Sequence, residues 1–156
     1  LVLPFVDDNA IHNGEDLLEA SAIIWAIEDL SETCDVGIAL ETNLNPIDCG
    51  HFLRECPDRT RVNYDSGNSA SLGYNMKDEW GTYGYRVGNV HIKDRILNGG
   101  SVPLGEGSTN FDTLAKTLSR YEYNGNLILQ VARGESGKEG EWYQKNRNFL
   151  LDRGIG

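Results

Sequence analysis

Apolar and polar positions along this chain follow two periods that take turns. Residues 1–6 form an apolar run of strand length, and residues 14–30 then place Leu17, Ala20, Ile24, Ile27 and Leu30 at helical spacing. Residues 35–41 return to a period of two, with Val36, Ile38 and Leu40 on one face and Gly37, Ala39 and Glu41 on the other. Asn45-Pro46-Ile47-Asp48 reads as a helix start, with Asn as cap and Pro at the first position. On that helix Cys49, Phe52, Leu53 and Cys56 make one buried stripe. A strand over 60–65, a glycine- and serine-rich loop over 66–74, a short helix near 76–83 and a strand over 87–93 follow. Asn110 caps a further helix striped by Phe111, Leu114, Ala115, Leu118 and Tyr121, and Asn124-Gly125 is expected to end it in a left-handed turn. Residues 127–131 are a nearly continuous apolar run, as in a parallel strand covered on both faces. A last helix spans about 138–152.

Strand and helix therefore alternate five times with short connections, the pattern of a parallel α/β sheet. The 156 residues read as one domain. A net charge of -10 repels a phosphate backbone, so nucleic acid is not an expected partner. Apolar runs stay short of membrane-spanning length, so no membrane association is expected. Cys34, Cys49 and Cys56 form no disulfide-like framework, which points to a reducing, cytoplasmic setting. The chain opens directly on a strand, as though cut from something longer.

Candidate chemistry collects at strand ends. Glu41, Asp65, His91 and Gln130 each stand at the C-terminal end of a strand, the edge where parallel α/β folds assemble their sites. Two carboxylates, an imidazole and an amide carbonyl are a hard, oxygen-rich set suited to Mn²⁺ or Mg²⁺, with Co²⁺ also compatible and zinc disfavoured by the lack of thiolates. In Asn89-Val90-His91-Ile92-Lys93-Asp94-Arg95 the alternation puts Asn89, His91 and Lys93 on one face. His51 between Cys49 and Cys56 suggests zinc only superficially, because both thiols fall on the apolar helix stripe.

Five motifs carry a resemblance: Ala39-Leu40-Glu41, Asn63-Tyr64-Asp65-Ser66-Gly67-Asn68, His91-Ile92-Lys93-Asp94-Arg95, Leu104-Gly105-Glu106-Gly107 and Leu127-Ile128-Leu129-Gln130. In this order and spacing the chain resembles the C-terminal part of the xylose-isomerase-like TIM barrels, the sugar-phosphate isomerase/epimerase superfamily. The resemblance implies a partial barrel of five parallel strands, numbers four to eight, with helices on the outer face. It implies Glu41, Asp65 and His91 as ligands of a divalent metal, with Gln130 where a second Glu is common. A relative that cuts DNA at abasic sites uses three zinc ions and extra histidines; three His in all do not fit it.

Gln130 bears on the reaction. Family epimerases are thought to use two glutamates on opposite faces of the substrate carbon, and Gln cannot serve as a base. The expected function is therefore a metal-dependent sugar or sugar-phosphate isomerase, or the metal-binding fragment of one, working through an enediolate with Glu41 as base. A keto-sugar 3-epimerase or a dehydratase of the same superfamily is the alternative within enzymes, and a non-catalytic incomplete barrel the alternative outside them. Lys93 is expected to assist catalysis, and Asn68, Arg95 and Arg133 to contact a small-molecule sugar or sugar phosphate. Two open sheet edges and an uncovered inner face predict self-association, most simply a dimer.

Overall fold

The computed structural model describes residues 1–156. Five strands form one parallel sheet in chain order: β1 (Val2–Phe5), β2 (Ala39–Thr42), β3 (Arg61–Asp65), β4 (Val87–Ile92) and β5 (Asn126–Leu129). β1 lies parallel to β2 with Val2 opposite Ala39, and β2 parallel to β3 with Ala39 opposite Arg61. The helices are α1 (Gly14–Thr33), α2 (Pro46–Arg54), α3 (Ser66–Leu72), α4 (Met76–Tyr83), α5 (Phe111–Arg120) and α6 (Glu139–Leu151). All three cysteines are free.

Contacts group the chain into residues 1–64 with 78–89, and residues 65–77 with 90–156. In the first group α1 begins at Asn13, whose side chain accepts from the N–H groups of Glu15 and Asp16. It runs past Leu30, which is exposed, and buries Ser31 instead. The helix stops at Asp35, a left-handed residue (φ 52°), with Val36 N–H reaching back to Ser31 O at 2.9 Å. That stop shortens β2 at its start but leaves Leu40 and Glu41 buried in it. The α2 stripe is as expected: Cys49, Phe52, Leu53 and Cys56 are all buried. Burial pushes the Cys49 thiol up to about 12 and the Cys56 thiol up to about 11, while His51 is exposed. The two thiols thus pack inside the helix stripe while the imidazole faces outward.

In the second group the expected loop over 66–74 is instead helix α3. Asp65 caps it, its Oδ1 accepting from Asn68 N–H at 2.8 Å, and Gly73 (φ 73°) closes it. Glycine and serine suggested a loop by propensity, but here their small size serves close packing: Ser66, Gly67, Asn68, Ser69 and Ser71 are all buried. At the end of α5 the left-handed residue is Glu122 (φ 49°) rather than Gly125. The β5 run is less covered than its apolar character predicted, with Ile128 43% exposed. The aromatic rings of Phe111 and Phe149 meet edge to face at 5.1 Å.

Candidate metal centre

Each strand delivers its polar residue where the chain leaves the sheet. In the first group Glu41 is buried at the end of β2, and Asn63 Nδ2 donates to its Oε2 at 2.7 Å. Asn89 Nδ2 donates in turn to Asn63 Oδ1. Two amides in series thus orient one carboxylate, and orientation of this kind matters for a base or a ligand.

In the second group Asp65 is buried and uses both its oxygens. Oδ1 caps α3, and Oδ2 lies 3.9 Å from His91 Nδ1 and 3.6 Å from Lys93 Nζ. Lys93 Nζ also donates to Gln130 Oε1 at 3.1 Å. Gln130 follows the last residue of β5, and its N–H donates to Ile92 O at 3.0 Å. Asp65 and His91 of this group are a carboxylate and an imidazole whose polar atoms lie 3.9 Å apart, two ligand types for a metal ion, and Glu41 of the first group is a third such residue at a strand end. Two carboxylates and an imidazole suit a divalent cation.

The remaining expected site residues divide. Asn68 and Arg95 meet each other, Arg95 Nη1 donating to Asn68 Oδ1 at 2.8 Å, while Arg95 Nε donates to Gly99 O. Arg133 is exposed and lines a cleft of about 480 Å³ with Trp142 and Tyr143. Sequence reasoning passed over Asp94, which is fully buried. Its Oδ2 accepts from Gly105 N–H (2.8 Å) and Gly107 N–H (2.9 Å), and its Oδ1 from Thr109 N–H (3.0 Å). A β-carbon on Gly107 would collide with this carboxylate, and Gly105 sits at φ 89°, which is why the loop carries both glycines. The Gly-Glu-Gly spacing after an acidic strand end was the available signal.

The sequence profile of the xylose isomerase-like TIM barrel family matches residues 11–153. The chain belongs to that family. No curated protein matches this family member by sequence. Among solved structures it is similar to the IOLI protein with a bound zinc atom, at TM-score 0.79 and 19% identity over 97% of this chain and 61% of that one. It is also similar to the apo form of 3-keto-D-glucoside 4-epimerase from E. coli (TM-score 0.71, 16% identity, 97% and 63% covered). A third is D-allulose 3-epimerase from Methylomonas sp. in complex with D-allulose (TM-score 0.72, 19% identity, 90% and 56% covered). At these identities the likeness is one of fold. This xylose isomerase-like chain spans about three-fifths of the length of the structures it matches. No helix in it is long and apolar enough to cross a membrane.

Proposed function

We propose that the chain carries the metal-binding part of a sugar or sugar-phosphate isomerase, corresponding to strands four to eight of a barrel. The reading rests on Glu41, Asp65 and His91, two carboxylates and an imidazole at the C-terminal ends of successive parallel strands in a member of this family. Asp65, His91 and Gln130 would join Glu41 as ligands of Mn²⁺ or Mg²⁺, with Co²⁺ a substitute. When bound, such an ion polarises a carbonyl and stabilises negative charge on its oxygen. Glu41, held by Asn63, would take a proton from the hydroxyl-bearing carbon next to that carbonyl and return it on the same face to the carbonyl carbon, while the hydroxyl proton passes to the former carbonyl oxygen. Gln130 has no proton to exchange, so the second base of a two-base epimerisation is missing and a one-base isomerisation is favoured. Arg133 is the proposed contact for a phosphate or carboxylate on the sugar, and Asn68 with Arg95 borders the substrate as a hydrogen-bonded pair. Self-association through the outer edges of β1 and β5 is the corresponding proposal for assembly.

The test is deuterium exchange. With Mn²⁺ in D₂O, NMR of a panel of aldoses, ketoses and their phosphates should show exchange next to the carbonyl for at least one substrate. Glu41→Gln should reduce that exchange by about 10²-fold or more, as expected for removing a general base. Exchange that survives in Glu41→Gln would reject Glu41 as the base. Bound metal with no exchange on any sugar would favour a non-catalytic barrel domain. Inversion at C3 without isomerisation would favour the epimerase reading.

A further inference from the structure

Lys93 is fixed more firmly than a surface lysine needs to be. Its N–H donates to Ser66 Oγ at 3.0 Å, and its carbonyl accepts from Ser66 Oγ at 2.8 Å and from Thr109 Oγ1 at 3.1 Å. Its stem passes over Gly67, where an added β-carbon would stand 2.7 Å from Lys93 Cγ and 2.9 Å from Lys93 Cβ. With the backbone tied and the stem laid against a glycine, the ammonium has little room to withdraw. It ends 3.6 Å from Asp65 Oδ2 and 3.1 Å from Gln130 Oε1, with only 17% of the side chain exposed. These are the two groups, one carboxylate and one amide, that the metal reading assigns as ligands.

We propose that Lys93 is a built-in rival cation at this centre: its clamped ammonium competes with a divalent ion for Asp65 and Gln130 and so sets the metal affinity. The proposal rests on the metal reading and deepens it by assigning a residue that controls loading. A positive charge beside a carboxylate of 1% side-chain exposure is weakly screened, so it acts both by occupying the oxygens and by repelling the incoming ion. Ser66, Gly67 and Thr109 are positioning residues in this device, because they act through Lys93.

Metal-stripped protein titrated with Mn²⁺, with free ion followed by electron paramagnetic resonance, tests this directly. Lys93→Met keeps the stem over Gly67 and removes the charge; its dissociation constant should fall about tenfold or more below that of the parent protein. Lys93→Arg keeps the charge and should stay within about threefold of the parent, since the fork still reaches carboxylate and amide. Should Lys93→Met fail to fold by circular dichroism, Lys93→Gln serves with the same expectation. Equal or weaker binding by the neutral variant overturns the proposal while leaving the metal reading intact. Binding by the neutral variant alone supports it, because the rival then blocks the parent altogether. No binding by either protein, or full binding by Asp65→Ala, rejects the metal reading and the rival with it.

Discussion

Asp65→Ala should lose Mn²⁺ binding by about 100-fold or more, and calorimetric titration of metal-stripped protein is the measurement. Asp65 supplies one of the two carboxylates in the candidate group, and an imidazole with one remaining carboxylate and an amide is a weak set for a hard dication. The same substitution carries a folding cost that must be separated from the metal effect. Asp65 Oδ1 caps α3, and loss of such a cap costs about 1 kcal/mol. Oδ2 faces the ammonium of Lys93, which alanine would leave with Gln130 as its remaining partner in this group. Asp65→Asn separates the two effects. Its amide oxygen can still accept from Asn68 N–H, so α3 should form and the melting temperature should stay close to the parent's. Its charge is gone, so metal binding should still be lost. Retained binding in Asp65→Asn would mean that the ion is held elsewhere.

The second large effect is on stability. Asp94→Ala should lower the unfolding free energy by about 2–3 kcal/mol, measured by urea denaturation, because it takes the acceptor from three backbone N–H groups, that of Thr109 buried and those of Gly105 and Gly107 partly so. Against a typical total of about 5–15 kcal/mol, that is a large share. The consequence also reaches the site. Thr109 is held at its N–H by Asp94 and holds Lys93 O through its hydroxyl, so loosening the loop loosens one side of the Lys93 clamp. A loss under about 1 kcal/mol would show that water satisfies the loop and that Asp94 is not its anchor.

The elements that were legible in the sequence are those whose hydrophobic period is unbroken. The stripe Cys49, Phe52, Leu53, Cys56 is buried as read, and so are Phe111, Leu114 and Leu118 of the second stripe, whereas Ala115 is half-buried and Tyr121, past the end of α5, is exposed. Helix α3 was not legible, because its residues are chosen for size rather than propensity. Gly67 admits the stem of Lys93, Ser66 binds its backbone, and the helix is secured by a cap at Asp65 that looks in sequence like a strand end. Asp94 was missed for a related reason. An aspartate between lysine and arginine reads as one of a run of solvated charges, and only the fold shows it turned onto the amides of a loop eleven to fifteen residues on.

Strand-end placement singled out Glu41, Asp65 and His91 in the sequence, since parallel strands align their C-terminal ends. What it could not supply was the partner of each side chain. Asn63 on Glu41, Lys93 on Gln130, and Arg95 on Asn68 all join residues at least 22 positions apart. The pairing of Arg95 with Asn68 is the instructive case, because two residues expected to reach for a sugar are found bonded to each other.

Anomalous diffraction from crystals soaked in Mn²⁺ tests most directly whether these strand ends hold one metal ion. A single strong peak is expected within roughly 2.0–2.4 Å of oxygens from Glu41, Asp65 and Gln130 and a nitrogen of His91, with Lys93 Nζ displaced from Asp65. A peak bound to other residues, or no peak in crystals whose soaking solution far exceeds millimolar Mn²⁺, would contradict it.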